Sequence, residues 1–364
     1  MVTMQRGKEV IAALSVLHFT VDLLCAYAVY TRFLPMAAAA RVFFTYNLCA
    51  FALQLPLGAA IDLIDQYCVK AARRELAGFL FTAGGAILTL LGCFTSLFLL
   101  GLGNALFHVG GGVLTIGEDD REGLKGRGLG VFVAPGAVGL FLGTAAGKGA
   151  MPGLTLARGA VLGLFGIVAA VALLLLAVIL RRTKPTPVAA EPAVEPALPG
   201  ARTIVIAVLC CFLVVVLRSC VGLAVSFPWK NGFAIGLLAV ICVAGGKAAG
   251  GFLAAAAGMR RAAVGTLLLA AACYLGSSDL LPGFLALFLF NMTMPMTLYK
   301  LKQILPGMPG LAFGILTFAL FIGFLPVLGG HLSAVDGRLL GAAGSILSLL
   351  FLLPVLAGER PVRK

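Results

Sequence analysis

The sequence predicts an all-α polytopic membrane protein of twelve transmembrane helices arranged as two six-helix halves. Three observations carry the prediction. Apolar stretches of about 20 residues, the length that crosses a bilayer, recur about a dozen times along the 364 residues. Hydrophobic residues make up 61% of the chain and charged ones 11%, against about 25% charged in a soluble domain, so lipid must be the solvent. Lys and Arg collect in every second gap between the stretches, the asymmetry that orients membrane helices.

The first segment, 9–31, holds His18 and Asp22 inside its apolar run. It has no small-x-small cleavage site at its end, so it is a spanning helix and not a removed signal. Segment 36–60 holds Asn47 and Gln54 and ends LPLGAAIDLID. Segments 75–94 and 95–117 are joined by almost nothing, yet together they are too long for one span at 1.5 Å per residue. The second of them contains GLGNALFHVGGG. Segments 128–148, with VFVAPGAVGLFLG, and 155–180 complete a first half, residues 1–180. Residues 181–202 hold PTPVAAEPAVEPALPG, the composition of a semi-extended cytoplasmic linker. The second half, 203–364, carries segments 203–226 with Arg218, 232–257 with Lys247, 261–277, 280–300 with Asn291, 309–330 and 336–357. Pro56, Pro135, Pro295 and Pro326 fall inside segments and predict kinks. Asn104 and Asn291 occupy matching places in the fourth and tenth segments, a weak internal repeat.

With the N-terminus inside, nineteen of the 27 basic residues fall in inner gaps and six at the outer side, leaving Arg218 and Lys247 inside segments. Both termini are therefore expected in the cytoplasm, with the chain in the plasma (inner) membrane. The net charge of +13 is spread over many short loops, so it reads as this bias and not as a nucleic-acid surface. The nine cysteines form no CxxC, and Cys210 and Cys211 are adjacent, so they read as small buried residues. P-loop, HExxH and EF-hand spacings are absent. No enzyme activity, no metal and no cofactor beyond a proton gradient are expected. The EDDREG run at 118–123 reads as a solvated inner loop.

A charge at mid-bilayer costs about 2.5–3.5 kcal/mol on insertion scales, so the ionisable residues inside the segments point to function. His18 and Asp22, four apart, share a helix face, and the carboxyl is set between burial and nearby cations. Asp22 assisted by His18 is the expected proton-coupling group; a structural pair that fixes the helix is the plainer reading. Arg218 is expected to pair with Asp22 or to hold an anionic solute group with its planar fork. Lys247, in GGKAAGG, either reaches the cavity or snorkels to the interface. His108 follows Asn104 by four and either titrates near neutral pH or is a satisfied core histidine. Asn47, Gln54 and Asn291 complete the expected substrate-contacting set, with helix-packing hydrogen bonds as the alternative.

Twelve helices, a six-plus-six split and a central linker resemble the major facilitator superfamily. That superfamily carries G-x-x-x-D-R-x-G-R-R after its second helix; here Gly58 and Asp62 match, with Arg73 and Arg74 arriving late. In the second half Gly251, Gly258 and Arg260 fit, while Ala255 and Ala256 replace the Asp and Arg. HFTVD, GLGNALFHVGG and NMTMPMTLYKLKQILPG are similar to the fosmidomycin-resistance branch. The fifth segment is similar to the Gly/Pro-rich fifth helix of exporter-type members. The resemblance implies a proton-coupled secondary transporter that moves a small organic solute by alternating access, as a monomer, with efflux by antiport. Cations outnumber acids among the deep residues, which favours an anionic or zwitterionic solute. The alternatives are an exporter of lipophilic cations that uses Asp22 as their partner, and a non-transporting sensor on the same scaffold.

Overall fold

The computed structural model describes residues 2–67, 74–152, 157–182 and 200–357, with the side chains of residues 2–5, 74, 158 and 182 outside that description. Lys70, Arg73, the side chain of Arg74 and all but the ends of the 181–202 linker therefore lie outside the described residues. The described residues form twelve helical spans. The first half holds α1 (Val2–Ala28, continued by a π-helical turn, Val29–Phe33), α2 (Ala39–Asn47, a π-helical turn Leu48–Ala52, then Gln54–Tyr67), α3 (Arg74–Phe94), α4 (Leu97–Arg121), α5 (Arg127–Gly147) and α6 (Arg158–Arg182). The second holds α7 (Ala201–Ala224), α8 (Gly232–Ala257), α9 (Met259–Leu275), α10 (Leu280–Asn291 and Thr293–Ile304), α11 (Pro309–Leu328) and α12 (Gly337–Val355).

Eleven of these spans are long and apolar enough to cross a membrane. The exception, α9, has 17 residues, roughly 25 Å at 1.5 Å per residue. Ile167, Val171, Leu174 and Leu175 of α6 are exposed, an apolar face of the kind lipid covers. The chain is a multi-pass integral membrane protein.

Prolines set the irregularities. Pro35 and Pro56 each follow a π-helical turn; Leu34 bonds back to Val29 and Leu53 to Leu48, five residues away instead of four. Widening the turn in this way relieves the clash and the missing donor of the proline that follows. Pro295 follows the break in α10 at Met292, whose N–H bonds back to Leu289, three residues away. Within the first half α3 packs on α4, and α1 on α5 and α6; within the second α9 packs on α12, and α7 on α11 and α12. The halves meet along α5 with α8 and along α2 with α11.

Two sequence-based readings change. α4 runs on to Arg121 instead of stopping at 117, and the EDDREG run is not a solvated loop. Glu118 is 2% and Asp119 1% exposed, because each finds buried partners. Arg6 and Arg121 both pair with Glu118 at 3.1 and 2.6 Å and with Glu75 at 2.6 and 2.7 Å. That ring ties the ends of α1, α3 and α4. Asp119 accepts the N–H groups of Gly126 and Gly128, both at 2.7 Å, and so caps the start of α5 from another helix.

Candidate functional site

The polar site forms where α5 loosens. Pro135 has no N–H to give Val131 O. Ser15 of α1 donates to that carbonyl at 3.3 Å, and one turn along His18 Nδ1 donates to Phe132 O at 2.8 Å. The helices come this close because Gly139 and Gly143 set bare backbone against the carbonyls of Phe19 and Leu23, where any Cβ would overlap.

His18 and Asp22 lie one turn apart on α1, with Nε2 3.2 Å from Oδ2. Asn104 and His108 repeat the spacing on α4, and the two pairs interlock. Asn104 Nδ2 donates to Asp22 Oδ1 at 3.1 Å. His108 Nε2 lies 2.9 Å from His18 Nε2 and 3.6 Å from Asp22 Oδ1. His108 Nδ1 donates to the Asn104 carbonyl at 2.8 Å. The imidazoles meet edge to face at 4.5 Å between centroids, and Phe132 lies 4.8 Å from His18. His18, Asn104 and His108 are buried, while the Asp22 side chain keeps 18% of its surface.

The hydrogen bonds fix the protons. A carbonyl only accepts, so both Nδ1 atoms carry hydrogen and both neutral rings present a lone pair at Nε2. Two lone pairs 2.9 Å apart repel unless a cation lies between them. The smallest such cation is one shared proton, with Asp22 as its counter-charge. The arrangement can therefore hold one proton, balanced by the Asp22 carboxylate, at a largely buried place.

The second half contributes cations. Arg218 lies in the last two turns of α7, which ends at Ala224. The chain turns extended at Val225 ahead of Pro228, so the helix runs two residues earlier than the expected segment. Arg218 does not pair with Asp22, and neither it nor Lys247 forms an ion pair among the described residues. Lys247 of α8 lies within electrostatic range of both Arg218 and Asp22. Both keep part of their surface exposed. Asn47, Gln54 and Asn291 each donate the side-chain amide to a carbonyl four residues back, those of Phe43, Ala50 and Leu287. None of the three hydrogen-bonds the cluster.

The residues expected to form the gating motif sit on the face that carries the start of α1. Asp62 of α2 accepts the N–H groups of Gly310 at 2.8 Å and Leu311 at 2.7 Å. It caps α11 across the two halves, where a carboxylate also complements the helix dipole. Gly58 stands backbone to backbone with Gly310, and Gly251 with Gly126 and Arg127. Gly258 takes φ 86° at the α8–α9 turn, a backbone that disfavours side chains; the adjacent Arg260 is exposed. Lys302 of α10 pairs with Asp120 of α4. A cavity of about 760 Å³ indents this face beside Asp62, Glu118 and Lys302.

Sequence reasoning missed the Arg6, Glu75, Glu118 and Arg121 ring and the Asp119 cap. The one available signal was a run of acids ending a segment that also contains deep polar residues.

These features define a bundle of twelve helical spans among the described residues. Its backbone is similar to two crystal structures of the Escherichia coli fucose:proton symporter FucP. A single-site variant gives a TM-score of 0.62 at 16% identity, over 94% of this chain and 97% of that one. The other, titled a major facilitator superfamily transporter in the outward conformation, gives 0.62 at 15% identity over 96% and 99%. No protein-family model and no curated protein sequence matches the chain. The fold is therefore that of major facilitator transporters.

Proposed function

We propose that the chain is a proton-coupled secondary transporter that moves a small anionic or zwitterionic organic solute by alternating access. The observation that carries this is the placing of charge between the halves. His18, Asp22 and His108 on the first half gather two imidazoles against one carboxylate. Arg218 and Lys247 on the second make no ion pair among the described residues. An unpaired cation at membrane depth is costly and marks a solute or ion path. A solute carboxylate or phosphate would supply the missing partner, and Lys247, in range of both Arg218 and Asp22, would relay its arrival to the proton site.

The lipophilic-cation alternative needs a free Asp22, whereas this carboxylate already meets two imidazoles and an amide. Efflux by antiport rests on the resemblance of helices one, four, five and ten to exporter-type sequences; a proton symporter shares the fold, so direction is part of the proposal. The protein acts as a monomer in the plasma membrane, with both termini in the cytoplasm. Its partners are protons, lipid and a small solute, and nucleic acid is not among them.

The test uses purified protein. A thermal-shift screen against anionic metabolites should give ligands that stabilise the wild type and not Arg218→Ala. In liposomes those ligands should move down an imposed pH gradient, and Asp22→Asn should abolish gradient-driven movement while keeping solute exchange. Intact proton-driven transport by Asp22→Asn sinks the coupling assignment. Lipophilic cations that stabilise both proteins through Asp22 would hand the site to the exporter reading.

A further inference from the structure

We propose that His18, Asp22 and His108 form a binding site for one divalent transition-metal ion. The inference concerns the same cluster, and rests on the reading that this cluster is the transporter's cation site.

Three donor atoms from α1 and α4 converge, all within 4.8 Å of one another. The two Nε2 atoms are 2.9 Å apart, His18 Nε2 lies 3.2 Å from Asp22 Oδ2, and His108 Nε2 lies 3.6 Å from the other carboxylate oxygen, Oδ1. Donors 2.0–2.1 Å from a common tetrahedral ion lie roughly 3.3–3.4 Å apart, close to these contacts, in which one carboxylate oxygen faces each imidazole. Each imidazole already donates its Nδ1–H to a backbone carbonyl, Phe132 or Asn104. Such outer partners hold a metal-binding histidine in the right tautomer, and Asn104 steadies Asp22 in the same manner. A proton between the rings satisfies two donors; a metal ion satisfies all three.

Two further observations fit. Asn104 is 1% exposed and its Oδ1 has no hydrogen-bond partner, which leaves an acceptor for a metal-bound water. Residue 136 is glycine, and a Cβ there would lie 2.6 Å from Asp22 Oδ2 and closer still to His18 Nε2, so the space beside the donors is kept clear. Two imidazoles and one carboxylate suit zinc, iron, cobalt, nickel or manganese and leave coordination positions open. Magnesium and calcium prefer oxygen donors throughout.

The test takes full-length protein in detergent, stripped by chelator, and titrates it with Zn²⁺ and with Co²⁺. One equivalent of either should bind, each displacing the other, with visible Co²⁺ absorption from a nitrogen–oxygen site; Mg²⁺ and Ca²⁺ should not compete. Asn104→Ala should weaken binding by about 10–100-fold, as loss of an outer partner does. His108→Gln and Asp22→Asn should weaken it more, and His331→Gln, at an exposed histidine, should leave it unchanged. Should the donor variants misfold, X-ray absorption on the zinc-loaded wild type decides, because it should show two imidazoles plus oxygen in the first shell. Absent wild-type binding, binding indifferent to His108→Gln and Asp22→Asn, or sulfur in the first shell each overturns the site. If no metal binds while proton-driven transport still needs Asp22, this inference fails and the transporter reading stands. If metal binds and no solute moves, the reverse holds.

Discussion

At the scale of single residues, the cluster depends on what is missing at position 136. Any side chain there meets His18 and Asp22 before it meets anything else. Gly136→Ala should therefore displace the cluster and lower gradient-driven transport at least about 10-fold, since misplacing a site by about 1 Å has costs of that order or more. Gly163→Ala supplies the control. That glycine on α6 has no neighbour within 4 Å, so transport should not change, and the melting temperature should hold or rise, because Ala favours a helix interior by roughly 0.5–1 kcal/mol. Liposome transport and a melting curve on the two variants check both statements. Arg6 is a different case. It is 5% exposed and shares Glu75 and Glu118 with Arg121. Arg6→Ala leaves the buried Glu118 and the half-buried Glu75 facing one guanidinium, and should cost about 3–5 kcal/mol, read as a lowered melting temperature with solute affinity retained.

At the scale of elements, proline and helix ends decide where polar groups meet. Pro135 opens α5 at Val131, and Ser15 and His18 take up carbonyls at that point. The position of Pro135 was visible in the sequence, and so was the expectation of a kink. Its consequence for His18 was not, because that depends on which helix lies alongside. Asp62 shows the same division. Its place in a gating motif was readable, but its partners, the amides of Gly310 and Leu311, lie about 250 residues on. Asp62→Ala removes this cap from α11, a loss of about 0.5–2 kcal/mol. Hydrogen–deuterium exchange should accelerate at residues 310–313 and stay unchanged in α9; equal exchange in both proteins would show that the cap does not hold the helix end.

For the whole molecule, what matters is which contacts the proposed alternating access would break. The halves touch backbone to backbone at Gly58 with Gly310 and at Gly130 with the carbonyl of Lys247, and by charge at Lys302 with Asp120. These contacts close the face that carries the N-terminus. A side chain inserted there penalises the closed form and not the internal packing of either half. Gly130→Ala places a Cβ 2.6 Å from Lys247 O, so it should shift the population toward the form open on that face. Spin labels at Gln66→Cys and Gly307→Cys, one on each half, should move apart in the variant. An unchanged distance distribution would mean that this seam does not govern closure.

The sequence by itself determined the membrane class, the number of spans, and the two pairs with i,i+4 spacing, His18 with Asp22 and Asn104 with His108. Hydropathy, charge asymmetry and helical period are local properties, and a chain displays them in order. Only the tertiary structure decided that the two pairs interlock, that His108 and not Arg218 stands against Asp22, and that Glu118 and Asp119 are buried instead of solvated. The physical reason is distance along the chain. His18 and His108 are 90 residues apart, and their Nε2 atoms meet because Pro135, Gly136, Gly139 and Gly143 let α5 press His18 into place beside α4. No single helix carries that information, so no pattern within one helix reveals it.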